Sequence, residues 1–171
     1  MKRLLTLAAA AALPIAFGAA QAQPLPSTSA TTTFHTAKVD GVNVFYREAG
    51  PRDAPTLLLL HGFPSSSRMF ATLIPLLADR YHIVAPDYPG FGLSDAPPPA
   101  EYAYTFDHIA GTVDHLLGQL GLTSYALYMQ DYGGPVGMRL ALAHPERVRA
   151  MIVQNAVASE DGLGLSIGVE S

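Results

Sequence analysis

A chain of 171 residues, 49% hydrophobic and only 14% charged, has the apolar content and the length for one globular domain with a real core, which excludes disorder as its default state. Its formal net charge of −4 leaves no basic excess to attract nucleic acid or an anionic membrane surface. With no cysteine, disulfides, thiolate chemistry and Cys-based metal sites are excluded as well.

The chain opens with a basic pair, Lys2 and Arg3, followed by an apolar stretch that ends at Ala20-Gln21-Ala22. A small-x-small pattern before Gln23 is a cleavage signature, so residues 1–22 read as a secretory signal peptide and the expected location is periplasmic or extracellular. An uncleaved membrane anchor is the rival, but Pro14 and Gly18 interrupt the stretch. Cleavage would remove both Lys2 and Arg3, taking the net charge from −4 to −6, with no membrane partner expected afterwards. Residues 23–32 are rich in Ser, Thr and Pro without an apolar period and read as a flexible lead.

Order is expected to begin near Thr33 and to run through residue 158 as one domain. Strand patterns cover Val42–Gly50, Thr56–Gly62, His82–Gly90, Tyr125–Asp131 and Arg149–Ala156; helical patterns cover Ser65–Asp79, Thr105–Gly121 and Gly133–Pro145. Such alternation predicts an α/β fold with a mostly parallel sheet covered on both faces. The all-apolar run Leu57 to Leu60 suits a central parallel strand buried on two sides, whereas "VNVFYRE" alternates like an earlier antiparallel one. "DAPPPAEY" reads as a rigid surface connection. Residues 159–171 read as an irregular tail.

In a parallel α/β sheet, ligands gather at the carboxyl ends of the strands. Three such ends are unusual here: "HGFPSSS" from His61, "DYPGFGLSD" from Asp87, and "MQDYGG" from Met129. In the last, Asp131 stands on a strand-to-helix corner. From local propensity it suits a helix N-cap as well as a reactive carboxylate. The "GFG" of the second loop lacks the third glycine of a dinucleotide fingerprint, since position 95 is aspartate. His108 and His115 lie seven apart on one predicted helix, but no third ligand has fitting spacing, so no metal and no cofactor are expected.

In this order the three loops resemble the α/β-hydrolase fold, with its His-Gly oxyanion loop, its Pro-Gly-x-Gly loop and its nucleophile elbow. The resemblance spans roughly Val42 to Asn155. An Asp at the elbow looks like the haloalkane dehalogenase and epoxide hydrolase group: "QDYGG" is similar to the dehalogenases' Gln-Asp-Trp-Gly-Gly, and "HGFP" to the epoxide hydrolases' loop. It implies Asp131 as nucleophile and backbone N–H donors from Phe63 and Tyr132 for an oxyanion or leaving group, with His61 and Gly62 as loop support. Gly133 and Gly134 are expected to let the helix approach the strand. A carboxylate needs no base to attack carbon, and would form a covalent ester with a small-molecule substrate. Tyr132 and Phe63 stand where dehalogenases place side-chain donors to the halide, which ranks epoxide or ester-type opening slightly above dehalogenation.

None of the six histidines occupies the place of the fold's catalytic base, which follows the acid late in the chain. Asn155 stands where one dehalogenase subgroup carries the acid, and neither Glu160 nor Asp161 suits that role; they fall where the cap domain of the resembling proteins begins, so residues 159–171 read as the start of a missing cap region or as the irregular tail. The expectation is therefore an amino-terminal part of the fold, truncated after about the sixth strand and incapable of full turnover alone. The alternatives are a non-catalytic fragment that self-associates through an exposed sheet edge, and a passive binding domain.

Overall fold

The computed structural model describes residues 31–156. The expected signal peptide, nearly all of the lead, the tail from residue 159, and Glu160 and Asp161 lie outside the described residues. Six strands form one sheet in the order β1-β2-β4-β3-β5-β6. They are β1 (Thr33–Val39), β2 (Val42–Ala49), β3 (Thr56–Leu60), β4 (His82–Pro86), β5 (Tyr125–Gln130) and β6 (Val148–Gln154). β1, β2 and β4 pair antiparallel, while β4, β3, β5 and β6 run parallel, so the sheet is mixed and mostly parallel as expected.

Strand β1 is an addition to the expected elements. Its hairpin to β2 turns on Asp40 and Gly41, both at positive φ (51° and 88°), the pair of left-handed residues that a two-residue type I′ turn requires. The Asp-Gly dipeptide at these positions was the available signal. It was masked by a strand whose residues are mostly exposed or half-buried.

Period-two alternation divides the central strands between two cores. Leu58, Leu60, Val84, Leu127 and Met129 face one side and pack with helix α2 (Phe106–Gln119) and helix α3 (Gly133–Ala143). Leu57, Leu59, Ile83 and Ala85 face the other, against Phe70, Ile74 and Ala78. This second layer is thinner than expected: the single helix read over Ser65–Asp79 is instead a 3₁₀ turn at Ser67–Phe70 and one α-turn, α1, at Ile74–Leu77. Pro75 is the cause. A proline has no N–H and collides with the carbonyl four residues back, so it is accommodated only in the first turn of a new helix.

Helix α2 starts where its sequence allows. Thr105 is extended and its hydroxyl accepts the His108 N–H at 3.2 Å, with Asp107 in the first turn. Its buried stripe, Ile109, Val113, Leu116 and Leu117, lies on the sheet, and Tyr102 beneath it donates or accepts a hydrogen bond with Thr112 at 2.9 Å. At the far side, β6 pairs with β5 and leaves Met151, Ile152 and Val153 41–50% exposed.

Candidate active site

The carboxyl ends of β3, β4 and β5 converge, and what each loop does follows from where it leaves the sheet. β5 ends at Gln130, and the next residue, Asp131, has φ of 50°. A left-handed conformation in a residue with a side chain costs of order 1–3 kcal/mol and persists only where the surroundings impose it. Here Gly134 N–H donates to the Asp131 carbonyl at 2.8 Å as α3 begins. The chain thus reverses from strand to helix within one residue.

That reversal needs two backbones in contact. A Cβ on Gly133 would overlap the Leu60 carbonyl oxygen, and one on Gly137 would fall 2.7 Å from Met129 Cγ. The close approach of α3 to β3 and β5 is therefore made by Gly133 and Gly137. Gly134, expected to share in this approach with Gly133, is buried and contributes its N–H to the corner.

The Asp131 carboxylate is held from one side. Its Oδ1 accepts the Phe63 N–H at 2.8 Å and the Tyr132 N–H at 2.7 Å. No hydrogen bond to Oδ2 is made among the described residues. Asp131 does not cap α3 with its side chain, because the amides it accepts come from its immediate successor and from the loop after β3, not from the second or third residue of the helix. Gly62 permits this arrangement: a Cβ there would stand 2.5 Å from the Asp131 Cβ. The two donors anticipated for an oxyanion thus converge on one oxygen of the carboxylate itself.

His61 is fully buried. Its Nε2 accepts the Tyr88 N–H at 3.2 Å, which places the proton on Nδ1, where it donates to the Gly62 carbonyl at 3.0 Å. Burial holds its pKa below the ordinary histidine value, against the opposing pull of the Gly62 carbonyl and Asp87. The imidazole is a neutral strut between the loops after β3 and β4, its ring stacked on Tyr88 at 4.0 Å. Tyr88 is itself wholly buried, and burial, followed by the nearby Asp131 charge, pushes its phenol well above the usual value.

Two features of the site were not assigned from sequence. The first is Asp87, 1% exposed, whose Oδ1 accepts Ser67 N–H at 2.7 Å and whose Oδ2 accepts Leu93 N–H at 2.8 Å. It ties the loop after β3 to the loop after β4, and Gly92 leaves the room it occupies. The second is the proline run. Pro97, Pro98 and Pro99, read as a surface connection, form one wall of a cleft of about 620 Å³ whose opposite wall includes Phe63 and Tyr132. Nothing local marks a proline run as a wall; the flanking aromatics Tyr104 and Phe106 were the only hint.

The paired histidines separate. His108 stacks on Tyr102 at 4.1 Å and His115 pairs with Asp40 at 2.6 Å, each at the edge of the helix. Asn155 follows β6 with φ of 47°.

Comparison with known proteins identifies the family of the fold. The family model described as alpha/beta hydrolase fold matches residues 55–166. An uncharacterized hydrolase of Saccharomyces cerevisiae is 51% identical over 131 residues, which are 76% of this chain and 44% of that protein. A haloalkane dehalogenase structure from Bradyrhizobium elkani superposes with a TM-score of 0.70 at 35% identity, covering 74% of this chain and 43% of its own. The epoxide hydrolase CorEH gives 0.71 at 28% identity, covering 76% and 44%. The chain spans less than half the length of each of these relatives. With the sheet order, the Asp131 corner and a family match over most of its length, this chain belongs to the alpha/beta hydrolase fold family.

Proposed function

We propose that the chain carries the nucleophilic half of a hydrolase that works through a covalent ester on Asp131. The observation behind this reading is the one-sided grip on the carboxylate: two amides fix Oδ1 and leave Oδ2 uncommitted. Oδ2 attacks an electrophilic carbon, forming a C–O bond as the leaving oxygen or halide takes its electron pair. With an epoxide the ring C–O bond breaks and the alkoxide takes a proton from water; with an alkyl halide the halide departs.

The grip on Oδ1 matters more in the second step. When water adds to Cγ of the ester, negative charge accumulates on Oδ1, already within reach of the Phe63 and Tyr132 amides. A donor so placed contributes about 2.7–4 kcal/mol to such a transition state. That step also needs a base, and among the described residues no histidine hydrogen-bonds to Asp131; the chemistry proposed for them is formation of the ester. The substrate is an epoxide, an alkyl halide or an ester-like carbon. Tyr132 offers no indole N–H and Phe63 no side-chain donor to a departing halide, which favours epoxide opening, while similarity to proteins named as haloalkane dehalogenase and to one named as epoxide hydrolase supports a shared covalent step.

Incubation of the full chain with a reactive epoxide or alkyl halide, followed by peptide mass mapping, tests this. A stoichiometric mass gain on the Asp131 peptide, lost in Asp131→Asn, is the expected result. No gain with either electrophile overturns the proposal.

A further inference from the structure

The cleft between the proline run and the elbow has a character of its own. Its near wall is formed by Phe63 and Tyr132, the same two residues whose amides hold Asp131 Oδ1. Whatever occupies it therefore lies against the two residues that hold the carboxylate. The rings pack as a cluster: Tyr132 stands at 4.9 Å from Phe106 and 5.4 Å from Phe63, with Phe91 at 6.4 Å. No Asp, Glu, Lys, Arg or His lines it.

The far wall is built to keep its shape. Three consecutive prolines restrict their own backbone and that of the residues before them. Tyr104, 40% exposed, donates its hydroxyl to the Pro97 carbonyl at 2.6 Å, and its ring covers Gly90, where a Cβ would fall 2.7 Å from the Tyr104 Cε1. Fastened in this way, the Tyr104 hydroxyl is turned to the protein and the ring to the cleft. Aromatic rings favour edge-to-face or offset partners. A cleft of about 620 Å³ lies in the range of ligand sites, which are largely apolar with few polar groups.

We propose that this cleft is a subsite for an uncharged aryl group carried by the electrophile that alkylates Asp131, with Tyr104 and the Pro97–Pro99 wall as its specificity-determining elements. The assignment rests on the reading of Asp131 as nucleophile. The aryl group seats among Phe106, Tyr132 and Tyr104, bringing the reactive carbon to Oδ2. There the C–O bond to Asp131 forms, the epoxide C–O bond opens, and the resulting alkoxide is protonated by water.

The test compares two epoxides with the same reacting ring and different remote groups, phenyl glycidyl ether and methyl glycidyl ether, on the full chain. Adduct formation on the Asp131 peptide is expected to be at least about tenfold faster for the phenyl ether. Tyr104→Ala should bring the ratio below about threefold, and Tyr104→Phe, which keeps the ring but loses the bond to Pro97, should leave a ratio between those of Tyr104→Ala and wild type. Asp131→Asn cannot be alkylated, so binding is read separately from the methyl signals of Ile109, buried at the base of the cleft. These should shift saturably with the phenyl ether and not with the methyl ether. Equal alkylation rates with an unmoved Ile109 overturn the subsite and leave Asp131 as nucleophile. A saturable Ile109 shift without any adduct on the wild-type chain overturns the nucleophile and supports aryl binding in the cleft.

Discussion

Asp87 and Asp131 each follow a strand of the same sheet, at the same end, and each accepts two backbone N–H groups. They differ in how those donors are distributed. Asp87 gives one oxygen to Ser67 and the other to Leu93 and is buried, so both ends of the carboxylate are committed to joining two loops. Asp131 takes both donors on Oδ1, at positive φ, half-buried. The same hydrogen-bond count thus commits both oxygens in one loop and leaves one oxygen uncommitted in the other, the feature on which the proposed role of Asp131 rests.

The largest effect expected from breaking this contrast is chemical. Asp131→Asn keeps a carbonyl for both amides, and Asn tolerates the left-handed backbone, so the thermal midpoint should stay within about 2 °C, as for changes below ~0.5 kcal/mol. Alkylation at position 131 should fall to background, since a neutral carboxamide is a far poorer nucleophile. An unfolded variant, seen by circular dichroism, would show that the carboxylate is structural.

Asp87→Ala should do the converse. It leaves the buried Ser67 amide without a partner, at about 1–3 kcal/mol when unsatisfied, and removes the tie to the Leu93 amide. A loss of about 3 kcal/mol in urea unfolding is expected, while the folded fraction still alkylates at Asp131. If stability is unchanged, Asp87 is not the fastener described.

Gly62→Ala sharpens the comparison from the other side, pushing the loop after β3 off Asp131. Displacing a reacting group by about 1 Å costs up to ~100-fold in rate. Alkylation should therefore slow by about 10- to 100-fold, with destabilisation of about 1–3 kcal/mol from overpacking. Rates equal to wild type would mean that the Phe63 amide is not required for positioning.

The smallest effect concerns a third carboxylate, far from the corner. Burial would raise Glu48, but its hydrogen bond to His82 at 2.8 Å and the adjoining Arg52 charge outweigh that and hold its pKa below the ordinary value. A carboxyl depressed on folding stabilises fully above its unfolded pKa, ~4.3, and the stabilisation is lost as pH falls through the lower folded value. Glu48→Gln should accordingly flatten the acid limb of a stability–pH curve and leave alkylation at neutral pH unaltered. An acid limb of unchanged slope would remove Glu48 from the pairing.

Much of this was legible in the chain itself. The unbroken Leu57–Leu60 run placed the central strand, Thr105 placed the start of α2, and the Gly pair after Asp131 placed the corner, because burial on two faces, capping and tight reversal each demand particular residue types within a few positions. The proline break in the expected first helix was also readable, since Pro75 sits inside the apolar run. What could not be read was anything that depends on two distant segments meeting. Asp87 becomes a fastener only when the loop holding Ser67 lies against it, and the proline run becomes a wall only when α2 sets Tyr104 across from the elbow.

By itself, then, the sequence determined a mostly parallel α/β sheet with a carboxylate on its sharpest corner, because backbone conformation and burial pattern are local demands on residue type. Only the tertiary structure decided that both loop amides fall on one oxygen of that carboxylate, and that an aromatic cleft opens beside it. Hydrogen-bond direction and cavity shape are set by the relative placement of β3, β4, β5 and α2, and no short stretch of chain encodes that placement.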